Sequence, residues 1–208
     1  VSGAGQLSEH PIIPDYLAYI KKSLTHVNAK RLHVVIDCGN GVAALVAKQA
    51  LELLGCHVTG LYCDLDGRFP NHHPDPTVLE NLDDLVQAVK QHKADVGIGY
   101  DGDADRIGTI DEQGNVLWGD RLMVVYARDI LAAKPGSTII SEVKSSQSLY
   151  DDIAKQGGRP IMWKTGHSLI KGKMREEDAA LAGEMSGHFF FGERWYGFDD
   201  GIYAAARL

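Results

Sequence analysis

Asp101, Asp103 and Asp105 occupy every second position of Asp101-Gly102-Asp103-Ala104-Asp105-Arg106. Carboxylates spaced this closely repel one another, and a divalent cation removes the repulsion. Gly102 and Ala104 leave the backbone room to curl so that the three groups converge. Three hard oxygen ligands with open positions suit Mg2+, which shares its shell with a phosphate or with water. Arg106 adds a guanidinium matched to phosphate. A solvated acidic turn is the plainer alternative, but these aspartates follow a buried-looking run, Asp95–Tyr100. An EF-hand loop also begins D-x-D-x-D, and Glu112 falls where its twelfth residue would be; Arg106, however, replaces the required glycine. A haloacid-dehalogenase-type D-x-D phosphatase is a better rival, although Asp105 stands where its Thr or Val belongs.

Three further loops carry chemistry-bearing residues. Lys164-Thr165-Gly166-His167-Ser168 lies where a strand gives way to a helix, a place that attracts anions. In Gly183-Glu184-Met185-Ser186-Gly187-His188 the polar residues alternate, so an extended loop would project Glu184, Ser186 and His188 to one side. A carboxylate there can accept from two neighbouring sugar hydroxyls, and Ser186 and His188 add direction. Gly39-Asn40-Gly41-Val42-Ala43-Ala44 matches G-x-G-x-x-A, with Asp64 near the place of a ribose-binding acid. That motif admits a dinucleotide-binding dehydrogenase module, but tight packing at a strand–helix turn is the favoured reading. Lys144, directly after Thr138–Val143, is one more cation at a strand's carboxyl end. His72 and His73, in the proline-rich Phe69–Pro76 stretch, point apart if the chain is extended, so the stretch reads as a stiffened loop.

These loops need strands and helices to hold them. Leu32–Asp37, His57–Tyr62 and Asp95–Tyr100 read as strands, and Ile107–Ile110 with Val116–Trp118 as a hairpin. Val42, Leu45, Val46, Ala50, Leu53 and Leu54 recur at helical spacing. A second helix, with Leu79, Leu82, Val86 and Val89 as its stripe, follows a capping-box signature at Thr77 and Glu80. The alternation then repeats: a helix over 121–133, a strand over 138–143, a helix over 147–156, a strand over 160–163, a helix over 168–177 and a strand over 179–183. An aromatic hairpin-like stretch, Phe189–Trp195, precedes a last helix beginning near Asp199. The order predicts an α/β fold of two similar three-layer domains with mixed, mostly parallel sheets, divided near Glu112–Gly119.

The chain has 208 residues, 44% hydrophobic and 24% charged, with a net charge of −7. No run of five Lys or Arg occurs, which argues against nucleic acid as a partner. No apolar stretch approaches the ~20 residues of a membrane span. Cys38, Cys56 and Cys63 form no C-x-x-C pair and fit free thiols in a reducing, cytoplasmic setting.

Taken together, Asp101–Arg106, Lys164–Ser168, Glu184–His188 and the Phe69–Pro76 stretch resemble, in their order, the α-D-phosphohexomutases, and most of all the bacterial phosphomannomutase/phosphoglucomutase branch. The resemblance runs from about Ile13 onward. It implies a four-domain enzyme in which a phosphoserine of the first domain exchanges phosphoryl groups with a hexose phosphate through a bisphosphorylated sugar. Residues 1–115 would be the second domain and 116–208 the third, truncated at its C-terminus. Asp101, Asp103 and Asp105 would hold Mg2+, and Arg106 would touch the phosphoryl group. Glu184 and Ser186 would bind sugar hydroxyls, with Lys144, His167 and His188 as further substrate-binding and catalytic residues. Met185 leans toward mannose and glucose phosphates, and Ala104 stands where the family often has glycine. The sugar loop would lie on a separate domain, at a distance from the transfer chemistry. The family's serine loop and its fourth-domain phosphate clamp are absent here, so the isolated chain is expected to be inactive. A non-catalytic sugar-phosphate-binding module is the remaining alternative.

Overall fold

Strand alternation decides which side of each sheet a residue enters. Val34 and Ile36 of β1 (His33–Asp37) join one apolar cluster, while Val35 between them joins another. Phe189 and Phe191 of β9 (Phe189–Phe191) likewise part from Phe190. The computed structural model describes residues 3, 5–25, 27, 29 and 31–208.

The first sheet runs β2 (His57–Leu61), β1, β3 (Val96–Tyr100), β4 (Ile107–Asp111), β5 (Val116–Leu117). β1 is parallel to β2 and β3; β4 and β5 are antiparallel. The second sheet runs β7 (Arg159–Trp163), β6 (Thr138–Glu142), β8 (Leu181–Gly183), β9. Here β6 is parallel to β7 and β8, and β9 is antiparallel to β8. The two sheets therefore repeat one plan through their first four strands.

The helices are α1 (Ile12–Ser23), α2 (Ala47–Leu53), α3 (Asp83–His92), α4 (Gly119–Ala133), α5 (Gln147–Lys155), α6 (His167–Glu177) and α7 (Gly201–Arg207). α3 covers the far face of the first sheet with Leu85, Ala88 and Val89. α6 does the same for the second sheet with Ile170 and Met174. The near faces of both sheets share one core with α1, α2, α4, α5 and α7. Each fully buried Leu or Ile there contributes about 1.5–3 kcal/mol. α7 follows the second sheet in sequence but packs on α2 and β4 of the first, and all seven of its residues are buried. Tyr126 Oη donates to the Ala204 carbonyl at 2.8 Å, and Tyr16 Oη donates to Asp200 Oδ1 at 2.9 Å. No helix among the described residues is long and apolar enough to cross a membrane.

Four local expectations need correction. α1, stabilised by Leu17 and Ile20 on its buried side, was not among the elements expected from sequence. The helix expected from Val42 to Leu54 is broken into a 3-10 turn, Val42–Leu45, followed by α2. The break falls at Val46, whose φ of −141° lies outside the helical region, while Val42 N–H donates to the Gly102 carbonyl at 3.1 Å, and the buried face shifts. Ala43, Ala47, Ala50 and Leu51 are inside, while Val42, Leu45 and Leu53 are exposed. Thr77 caps nothing: its hydroxyl and N–H both donate to Asp75 Oδ1, and Leu79 is exposed. Beyond Phe191 the aromatic stretch leaves the sheet, and Trp195 stacks on Tyr203 with centroids 3.9 Å apart.

Candidate active site

The loop between β3 and β4 is the acidic one. Ala104 adopts the left-handed region at φ 62°, which turns the chain sharply at its middle. Glycine takes this conformation at lower cost. The turn brings carboxylate oxygens of Asp101, Asp103 and Asp105 within 4.8 Å of one another. Asp101 is buried, Asp105 half-buried and Asp103 exposed. Arg106 braces the turn from its end. Its N–H donates to Asp101 Oδ1 at 3.1 Å and its Nε to Asp101 Oδ2 at 2.6 Å. Its Nη1 reaches Asp75 Oδ1 at 3.3 Å, so the Phe69–Pro76 stretch buttresses the acidic loop. One arginine does not neutralise the cluster. Burial first, then the Asp101 and Asp103 charges, push the Asp105 carboxyl up to about 6, against the pull of His188. Three converging hard oxygens with excess negative charge fit a divalent cation such as Mg2+.

The loop between β8 and β9 holds Glu184, Ser186 and His188. It is a tight turn rather than the expected extended segment: Gly187 N–H donates to the Glu184 carbonyl at 3.1 Å. The three side chains converge through that turn. Glu184 is buried; Gly166 N–H donates to its Oε1 at 2.7 Å and Ser186 Oγ to its Oε2 at 3.3 Å. The first contact ties the Lys164–Ser168 loop to the sugar-loop candidate. It leaves His167, the first residue of α6, exposed, with its ring stacked 6.0 Å from that of His188. Lys164 is exposed beside Trp163.

His188 has two carboxylate neighbours. Its Nδ1 lies 3.2 Å from Asp199 Oδ2 and 3.5 Å from Asp105 Oδ1. Burial opposes the imidazolium, but Asp199, Asp105 and Glu184 outweigh it and raise the histidine above its ordinary value. Asp199 also accepts from Lys171 Nζ at 2.9 Å. Despite burial, the nearby His188 and the bond from Lys171 hold its carboxyl well below the usual range.

The two loops touch directly, although they belong to different sheets. Arg106 and His188 form an antiparallel bridge, and Ile107 N–H donates to the Gly187 carbonyl at 3.1 Å. Gly187 has φ +94°, and a Cβ there would stand 2.3 Å from the Ile107 carbonyl oxygen. Only glycine permits this approach.

Two organising residues were missed by sequence reasoning. Glu142, at the end of β6, is fully buried. It accepts from Thr165 Oγ1 and, at 2.7 Å, from Met185 N–H, while Lys144 Nζ sits 3.4 Å away. One carboxylate thus holds both loops and the exposed Lys144. An acid closing a strand with no other charge was the available signal. Asp199 was read only as a helix start; the Asp199-Asp200 pair offered two acids where one cap suffices. Asp200 is the cap, accepting from Tyr203 N–H at 2.9 Å.

The dinucleotide alternative finds no support. A Cβ on Gly41 would stand 2.7 Å from the Gly102 carbonyl oxygen, so this glycine serves packing against the acidic loop. The EF-hand alternative fails because strands flank the loop. His72 and His73 do part company: His72 Nε2 pairs with Asp37 Oδ2 at 3.0 Å, and His73 is exposed.

Comparison with known proteins gives a consistent result. The model of phosphoglucomutase/phosphomannomutase α/β/α domain II matches residues 14–114, and that of domain III matches residues 118–208. A phosphomannomutase/phosphoglucomutase of Pseudomonas aeruginosa is 53% identical over 207 residues, covering 100% of this chain and 44% of that protein. A phosphoglucomutase of Neisseria gonorrhoeae is 50% identical over 192 residues, covering 92% of this chain and 42% of that protein. The crystal structure of a phosphoglucomutase/phosphomannomutase family protein from Burkholderia thailandensis superposes with a TM-score of 0.94 at 44% identity, covering 99% of this chain and 44% of that one. The chain spans less than half the length of these relatives.

Proposed function

The chain belongs to the phosphoglucomutase/phosphomannomutase family, and from that premise we propose that it supplies the cation-binding and sugar-reading parts of a phosphohexomutase. The reaction interconverts hexose 1-phosphate and hexose 6-phosphate, with mannose and glucose phosphates as substrates. The observation that carries this reading is the direct apposition of the two loops at Arg106 and His188. An acidic cluster suited to a cation and a turn suited to sugar hydroxyls share one wall.

In this reading residues 1–115 form the second domain and residues 116–208 the third. The first domain, with its phosphoserine, and the fourth, with its phosphate clamp, come from the rest of the protein. Asp101, Asp103 and Asp105 hold Mg2+. When held there, the ion would supply charge neutralisation to a phosphoryl group. Arg106 keeps Asp101 in place and presents positive charge at the phosphoryl group. Glu184 accepts from neighbouring sugar hydroxyls and Ser186 orients them. Lys144 and His167 bind the substrate from either side of this turn. With Nδ1 3.2 Å from the Asp199 carboxylate, His188 exchanges a proton with substrate through Nε2. A cytoplasmic location accompanies this reading.

The test is the activity of the full-length protein on glucose 1-phosphate and mannose 1-phosphate. Glu184→Gln is expected to lower kcat/KM by about 100-fold or more, ~2.7 kcal/mol, and to leave Mg2+ affinity unchanged. Robust conversion of mannose 1-phosphate by the 208-residue chain alone would overturn the assigned division of labour.

A further inference from the structure

Cys38 and Cys63 lie outside the site described above, yet their sulfurs are 3.3 Å apart. Cys38 directly follows β1 and Cys63 follows the adjacent parallel strand β2 by two residues. The pair is asymmetric. Cys38 is fully buried, whereas Cys63 is half-buried. We propose that Cys38 and Cys63 are a redox modification site that closes to an intramolecular disulfide on reaction with a low-molecular-weight disulfide, Cys63 reacting first and Cys38 resolving.

The geometry assigns the order. A thiolate must meet the reagent in line, and only Cys63 of the two has solvent access. The two thiols share a hydrogen bond in which either can donate, and a proton held on Cys38 stabilises negative charge on Cys63. That hydrogen bond holds the Cys63 thiol below its ordinary value, with Lys48 assisting against burial. The same bond, then burial, drives Cys38 upward. Cys56 has no such partner and is merely raised by burial.

In the first step the Cys63 thiolate attacks one sulfur of the reagent. The reagent's S–S bond breaks, and its first half leaves as a thiolate that takes up a proton. In the second step Cys38 gives its proton to solvent, and its sulfur attacks the Cys63 sulfur, expelling the second half of the reagent. Two protein thiols lose two electrons and the reagent becomes two thiols. The sulfurs need close by only about 1.3 Å to reach the S–S bond length of ~2.05 Å. Both cysteines sit at strand ends, where side-chain rotation can supply that closure.

The experiment treats the folded protein with glutathione disulfide, counts free thiols and maps the linked peptides by mass spectrometry. Free thiols are expected to fall from three to one, with Cys38 linked to Cys63 and no glutathione retained. In Cys38→Ser, glutathione stays on Cys63; in Cys63→Ser, Cys38 stays unmodified. Three thiols surviving in the folded protein, a stable glutathione adduct in the unaltered chain, or a link through Cys56 would each overturn the proposal. The unaltered chain decides the matter even where a serine variant fails to fold.

Discussion

The loop joining β3 to β4 and the loop joining β8 to β9 occupy the same station in two sheets of one plan, and they meet at Arg106 and His188. Their electrostatics are opposite in kind. Asp101, Asp103 and Asp105 outnumber the one arginine beside them, and burial first, with the neighbouring carboxylates adding to it, raises the Asp105 carboxyl. Glu184 is a lone carboxylate that two protein donors, Gly166 N–H and Ser186 Oγ, already serve. The first loop therefore suits a cation, while the second holds one carboxylate already hydrogen-bonded by neutral protein donors and suits a hydroxyl-rich ligand. One scaffold position thus yields two chemistries, because the loop residues and not the strands determine which charges remain unsatisfied.

Substitutions at matched places test this contrast. The largest effect is expected at Gly187, where the loops are locked together. Gly187→Ala should cost about 3 kcal/mol or more in urea unfolding, since both φ and the Ile107 carbonyl oppose a side chain. A loss below about 1 kcal/mol would break the claim that the loops are rigidly joined. Next, Asp103→Asn should weaken Mg2+ binding about tenfold by calorimetry, ~1.4 kcal/mol. Ser186→Ala, in the partner loop, should leave that affinity within about twofold. Equal effects at the two positions would erase the distinction.

Asp199→Asn probes the contact between the loops through pH. The native carboxyl of Asp199 lies below its unfolded value of about 3.9. It therefore adds stability above that pH, and the gain disappears as pH falls through the native value. The variant should be about 1 kcal/mol less stable at pH 7, with partial exposure of the pair reducing the effect. The gap should narrow on acidification below about pH 4. A gap unchanged down to pH 2 would remove Asp199 as an electrostatic partner of His188. The smallest effect belongs to Ala104→Gly. Relief of the left-handed strain offsets the added backbone freedom, so thermal unfolding should shift by less than about 1 kcal/mol.

Much of this arrangement is legible along the chain because its determinants are local. The alternation in Asp95–Tyr100 and Ile107–Ile110 marks strands, and three aspartates in one loop announce their own repulsion. Where the cause is remote, the sequence is silent. The turn after Gly41 is fastened to the acidic loop by Val42 N–H, which donates to Gly102, sixty residues downstream. Glu142 gains its role from Thr165 and Met185, which reach it from two other loops. Asp199 owes its position to Lys171 and His188. Cys38 and Cys63 look like separate thiols until β1 and β2 are seen to be neighbours. The echo between halves is visible as element order but not as letters, since what repeats is the order and direction of the strands.

α7 has a consequence for anyone who would divide this molecule. A cut between the sheets, at the turn before α4, would strip α2 and β4 of the helix that covers them. The first piece would expose Ala43, Ala47 and Ala50 to water, and the second would carry α7 with the side that meets α2 and β4 bare. Such pieces would clump or seek each other out, and would recombine best when produced together. The seam suggested by the sequence is thus a poor place for scissors: the chain has stitched across it.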